Sequence, residues 1–270
     1  IYSWRHAVPT NILEFRKIYK DCLVVNLDES YRSTKPILEA ADSIIANNTN
    51  RFKRKLWTKN KEGSLVKYNS YFDEEEEAVS VGKSITKLIK SKDSLNEIAV
   101  MYRVNAQSRA FEVALNSLGL KYRLVGGVRF YDRKEIKDIL AYCKLLVNPN
   151  DDSAFERIIN WNVDSIDEND EAITLITLHQ AKGLEYKNVF IVGMEEGLLP
   201  HSRSMDSEDE LEEERRLCYV GITRAKENLY LSSSSRRRFQ GIYDNAINSR
   251  FLDEIPDKVL EKTIKNKNID

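Results

Sequence analysis

Short apolar runs alternate with helical patterns along most of this chain, and that alternation restricts the fold more than any other feature. Ile98-Ala99-Val100-Met101-Tyr102 is apolar almost throughout, as in a strand buried on both faces, and Leu65 to Phe72 alternates like a strand. Each leads into an amphipathic helical pattern, over 74–90 and roughly 108–118. Ile173 to Thr177 and Asn188 to Val192 read as further buried strands; Asn228 to Leu231 reads as another, after a helical stretch from Leu211. Strands separated by helices favour parallel crossovers, so the expected fold is α/β, a mostly parallel, doubly wound sheet with helices on both faces. Leu23 to Leu27 and Tyr122 to Val125 are expected strands as well. Helices are expected from about Pro36 to Asn47 and up to about Val147, where Asn148-Pro149 stops the second.

With 270 residues the chain can bury one substantial core. A single domain over 1–256 is expected, with an acidic, polar connector at 160–170 and a polar tail, or frayed helix, over 257–270. The net charge of −1 provides no global basic field, so contact with nucleic acid must come from local patches. Cys22, Cys143 and Cys218 lack metal-ligand spacing and suit reduced thiols in a cytoplasmic protein; no metal site is expected. No apolar run reaches membrane-spanning length, and neither a membrane span nor a signal peptide is expected. The chain opens at Ile1 inside a patterned segment, which suggests a piece of a longer protein.

Chemistry concentrates at a few places. Tyr219 to Lys226 reads as a helix exit that places Arg224 between a helix and a strand, where a rigid guanidinium fork can reach a phosphate as a lysine cannot. By itself the octapeptide favours a surface arginine paired with a local carboxylate. Tyr2, Trp4 and Arg5 interleave aromatics with a cation, as a single-strand stacking platform requires, or form an apolar edge of the core. Arg51 to Trp57 is the densest basic patch, a phosphate-contacting surface or a solvated turn. Arg103 to Arg109 follows a buried strand, at the carboxyl edge where open α/β sheets bind ligands. Two decoys are rejected. Val81-Gly82-Lys83-Ser84 lacks the glycine five positions earlier, where Glu77 stands, and Asp28-Glu29 only imitates an acidic magnesium motif.

In this order the segments resemble the second RecA-like motor domain of the superfamily 1A DNA helicases, the UvrD, PcrA and Rep group. The resemblance rests on Ile1-Tyr2-Ser3-Trp4-Arg5, Tyr31-Arg32-Ser33-Thr34, Phe130 to Glu135, Thr177 to Glu185 and Val220 to Ala225. It implies that Tyr31 packs on adenine, that Arg32 and Arg224 reach the γ-phosphate, and that Glu185 contacts the ribose. For DNA it implies stacking and clamping of single-stranded bases by Tyr2, Trp4 and Arg5. Arg103, Asn105, His179 and His201 would line the same track, and Phe239 would be a C-terminal aromatic wedge, although its spacing to Gly241 is one residue longer than the family pattern. The implied ligand is ATP with Mg²⁺, shared with a first motor domain whose phosphate loop and acidic metal motif this chain lacks. The implied partners are that domain, single-stranded DNA and a duplex junction, with no membrane. The family's long helical insertion, between Ile158-Ile159 and Thr177, is replaced here by the short connector. Ser30 and His6 stand where the family has asparagine and glycine. A single-stranded-DNA-binding or protein-docking module, and the motor half of a helicase-nuclease, are the alternatives.

Overall fold

A computed structural model describes residues 10–60, 62–126, 134–149, 151, 153–155, 171–239 and 242–264. In chain order the helices are α1 (Thr10–Ile18), α2 (Lys35–Ala46), α3 (Glu74–Lys90), α4 (Ser108–Ser117), α5 (Lys134–Val147), α6 (Glu208–Ile222) and α7 (Arg250–Asp253). The strands are β1 (Val66–Tyr71), β2 (Ile98–Tyr102), β3 (Tyr122–Leu124), β4 (Ile173–Thr177), β5 (Tyr186–Ile191), β6 (Ala225–Ser234), β7 (Arg236–Phe239), β8 (Ile242–Asn245) and β9 (Leu260–Ile264).

Every residue of β2 is buried, and alternate side chains enter different cores. Ala99 and Met101 join one apolar cluster, with Ile37, Ala41 and Ile44 of α2 and Leu217, Cys218 and Ile222 of α6. Ile98, Val100 and Tyr102 join a second, with Val81 and Ile85 of α3 and Phe111 and Leu115 of α4. A strand with two apolar faces needs a helix layer on each, and this is what the sequence pattern expresses. Each fully buried leucine or isoleucine contributes about 1.5–3 kcal/mol. Seven strands form one sheet in the order β3-β4-β2-β5-β6-β1-β9, with every neighbouring pair parallel, while β7 and β8 form a separate antiparallel hairpin. The expected α/β doubly wound sheet is therefore present, more uniformly parallel than anticipated.

Two expectations are corrected. Leu23 to Leu27 forms no strand; Leu23, Val25 and Leu27 stand 89%, 69% and 86% exposed. The edge beside β1 is taken instead by β9, from the segment expected to be a frayed helix or tail, with Val259 and Leu260 buried. Local patterning records strand propensity but not which segment reaches an open sheet edge. The rejected phosphate-loop imitation, Val81 to Ser84, lies inside α3. Tyr2, Trp4, Arg5, Phe130 to Arg133 and the 160–170 connector lie outside the described residues. No described helix is long and apolar enough to cross a membrane.

Candidate functional site

Parallel strands give the sheet two chemically different edges, and the predicted site residues divide between them. At the amino edge, β5 and β6 begin immediately after Glu185 and Arg224. The segment Arg32-Ser33-Thr34 lies along residues 223–226. Arg32 Nη1 donates to Thr223 O at 3.2 Å, Ser33 Oγ to Ala225 O at 2.6 Å, and Thr34 N to Lys226 O at 3.1 Å. Tyr186 N donates to Arg224 O at 3.0 Å, knitting in the third segment. Ser33 and Thr34 are buried, so their two bonds hold the backbone behind Arg32 without engaging its guanidinium.

The guanidiniums of Arg32 and Arg224 are thereby brought to one place. Arg32 Nε donates to Glu185 Oε2 at 2.6 Å. Arg224 donates through Nε to Val220 O at 2.9 Å, through Nη1 to Leu184 O at 3.1 Å and through Nη2 to Thr223 Oγ1 at 3.1 Å. Lys226 Nζ lies 3.1 Å from the other Glu185 oxygen. The hydrogen bond from Arg32, and then that from Lys226, hold the Glu185 carboxyl below its ordinary pKa. Burial, and then the charge of Arg32, lower the pKa of Arg224, which nevertheless stays protonated near neutrality. Three cations around one carboxylate leave a positive excess suited to a multiply charged anion. Tyr31, adjacent to Arg32 in the chain, is 81% exposed, its hydroxyl donating to Glu29 Oε2 at 3.1 Å. The turn after β4 reaches this edge through Gly183, whose φ of +92° strains any other residue.

At the carboxyl edge a second cluster forms where the adjacent strands β4, β2 and β5 end. Arg103 follows β2, His179 follows β4, and His201 belongs to the loop after β5. Gln107 Oε1 accepts from both Arg103 N and Val104 N at 3.0 Å, fixing the turn that exposes Asn105. Arg103 turns its fork onto Glu214 of α6, with Nη2–Oε1 at 2.8 Å and Nε–Oε2 at 3.0 Å. Glu214 Oε2 also accepts from His201 N at 2.9 Å. Burial, and then Arg103, lower the pKa of both His179 and His201, so each imidazole is neutral near pH 7.

Phe239 ends β7, and its side chain lies outside the described residues. Its hairpin is docked by Arg237, which pairs with Glu77 Oε2 at 2.7 Å and Glu195 Oε1 at 2.6 Å. Glu195 belongs to the same loop as His201 and also accepts from Ser234 N at 2.7 Å.

Sequence reasoning missed Thr223, Lys226 and Glu214. Within the acidic run from Asp206 to Glu214, Glu212 and Glu214 are buried and ion-paired. Glu214 sits three residues after buried Leu211 and four before buried Cys218, a spacing that marks it as inward-facing. Among the described residues no group of three His, Cys, Asp or Glu could hold a metal ion.

Comparison with known proteins places this chain in a family. Residues 25–170 and 162–236 match the model of the UvrD-like helicase C-terminal domain, the two matches meeting at the polar connector. The ATP-dependent DNA helicase PcrA of Bacillus subtilis (strain 168) is 34% identical over an alignment of 399 residues, covering 99% of this chain and 54% of the relative. That of Staphylococcus aureus (strain Mu50) is 32% identical over 395 residues, with 99% and 54% covered. The chain thus spans about half the length of the curated relatives it matches. Within the aligned span those relatives carry well over a hundred residues that this chain lacks. The crystal structure of the C-terminal domain of a possible DNA helicase from Lactobacillus plantarum WCFS1 shares the fold, with a TM-score of 0.52 and 17% identity over 86% of this chain and 98% of that one. With the family model matching most of its length and a parallel sheet to match, this chain belongs to the UvrD-like helicase C-terminal domain family.

Proposed function

We propose that this chain is the second motor half of an ATP-dependent DNA helicase that translocates 3′ to 5′ along single-stranded DNA. The observation that carries this reading is the meeting of Arg32 and Arg224 around Thr223 and Glu185, at one edge of the sheet. ATP would lie between this edge and a first motor domain that supplies the phosphate loop and the Mg²⁺ ligands. Tyr31 would cover the adenine and Glu185 would bind the ribose. Exchanging Glu185 for phosphate as a partner, Arg32 would approach the γ-phosphate together with Arg224. As water attacks the γ-phosphorus and the bond to ADP breaks, negative charge builds on the transferred oxygens. Two preorganised guanidiniums stabilise that charge most, and an arginine finger is worth about 10³–10⁵ in rate. Loss of phosphate would release both arginines and reopen the cleft. At the carboxyl edge, Arg103, Asn105, His179 and His201 would grip the strand, Tyr2, Trp4 and Arg5 would stack on and clamp its bases, and Phe239 would be the C-terminal aromatic wedge.

A module kept only for DNA binding or docking has no use for two converging arginines, which disfavours that reading. The test is ATP turnover by the full-length protein that carries this chain, stimulated by oligothymidylate. R224A is expected to abolish turnover, and the purified chain alone is expected to have none. Turnover by the chain alone that R224A removes would overturn the division of labour.

A further inference from the structure

The two clusters occupy opposite edges of the sheet, yet helix α6 touches both. Its fifteen residues span about 22 Å, close to the length of the strands it crosses. At its far end the helix delivers Thr223 and Arg224 to the amino edge. Earlier, Glu214 reaches the carboxyl edge, where its two oxygens are taken by Arg103 and by His201 N. The last turn makes a second contact: a Cβ at Gly221 would overlap the side chain of buried Leu178, the residue before His179. The helix therefore abuts the loops after β2, β4 and β5 while carrying Arg224.

Glu214 is an unusual residue to find there. A carboxylate beside a polyanion is repulsive unless neutralised, and with its side chain 5% exposed it is also costly to bury. A merely structural ion pair would join two core elements. Glu214 instead binds two loops that bear candidate DNA-facing groups, and its charge acts on both His179 and His201. Removing that charge frees the Arg103 fork and the His201 loop together, without touching Arg32, Glu185 or Tyr31.

We propose that Glu214 is a positioning residue that aims Arg103 and the His201 loop at single-stranded DNA and links their engagement, through the rigid body of α6, to Arg224. This rests on the function proposed above. A strand that displaces Arg103 or the His201 loop pulls on a carboxylate fixed to the helix, and a close-packed helix moves as a unit rather than deforming.

The experiment uses the full-length protein carrying this chain, with parent, E214Q, E214D and R224A compared. Three quantities are read: the oligothymidylate concentration for half-maximal ATPase stimulation, the KM for ATP, and the melting temperature. E214Q is expected to raise the half-stimulating DNA concentration about tenfold, the size of one lost charge-assisted hydrogen bond. The KM for ATP should stay within about twofold and the fold-stimulation should fall, since both binding and transmission depend on the same carboxylate. E214D keeps the charge but not the reach to both partners and should lie between. Where E214Q does not fold, E214D alone decides. An unchanged half-stimulating concentration overturns the proposal, as do parallel shifts in DNA response, ATP KM and melting temperature, which mark a structural pair only. If R224A keeps full turnover, the underlying reading of the nucleotide site fails instead.

Discussion

Arg32 and Arg224 meet on one residue: Arg32 Nη1 donates to the Thr223 carbonyl at 3.2 Å and Arg224 Nη2 to the Thr223 hydroxyl at 3.1 Å. Two guanidiniums so placed repel each other, and burial, followed by the charge of Arg32, lowers the pKa of Arg224. Glu185 relieves only part of it, because it is shared with Lys226. Such a cluster is most stable when a further anion joins it.

The first prediction concerns the fork itself. Arg224 satisfies three acceptors through three nitrogens, whereas lysine presents one compact charge. In the full-length protein R224K is expected to lower ATP turnover by at least about 10², approaching the loss typical of a missing arginine finger. R32K should also be slow. Turnover by R224K within about threefold of the parent would show that charge alone suffices.

A second prediction separates the ring of Tyr31 from its hydroxyl. The side chain is 81% exposed and its hydroxyl donates to Glu29, so little of it contributes to the core. Y31A should raise the KM for ATP about tenfold, the scale of a lost base–aromatic stack, with an unchanged melting temperature. Y31F should match the parent. A Y31F defect equal to that of Y31A would assign the role to the hydroxyl.

The network under the β7–β8 hairpin yields a stability prediction. Glu77 is fully buried, accepting from Gly193 N at 3.0 Å and Ser232 Oγ at 2.6 Å while pairing with Arg237. E77A leaves buried donors and part of a buried guanidinium uncompensated, a loss of about 3–5 kcal/mol. Urea unfolding of the purified chain measures it; a loss below about 1 kcal/mol would show that Glu195 compensates alone.

The histidines predict the acid side of the stability profile. Burial lowers the folded pKa of His179 and His201 below the ordinary 6.5. Between 6.5 and those lower values the unfolded chain binds more protons than the folded one, so stability rises with pH there and falls as pH drops through the window. The Glu185 carboxyl, with its folded pKa depressed below 4.5, adds a further loss at more acid pH. Urea midpoints of the chain should decline from pH 6.5 downward, and H179N/H201N should flatten the first part of that decline. An equal slope in the double variant would exclude the histidines as its source.

Much of this molecule is legible without coordinates. The all-buried β2 and β4, the amphipathic α3 and α4 and the helix that ends just before Arg224 lie where hydrophobic period and length place them. Leu23 to Leu27 forms no strand because an apolar run also needs an unpaired neighbour to bond to, and β9 holds the edge beside β1. The pairing of Glu214 was not legible for a related reason: a carboxylate within an acidic run is solvated or buried according to what lies opposite it, and Arg103 is 111 positions distant in the chain.

The sequence by itself determined a parallel α/β sheet, because strands with two apolar faces joined by amphipathic helices have few other ways to exclude water, and it determined which residue types were available for phosphate and base recognition. The tertiary structure alone decided their grouping. Arg32, Glu185 and Arg224 gather at the edge where strands begin, Arg103, His179 and His201 at the edge where they end, and Glu214 stands on the helix between. The physical reason is that local propensity acts over a few residues. Charges more than a hundred positions apart in the chain come together only when the buried sheet fixes which strands are neighbours and which way they run.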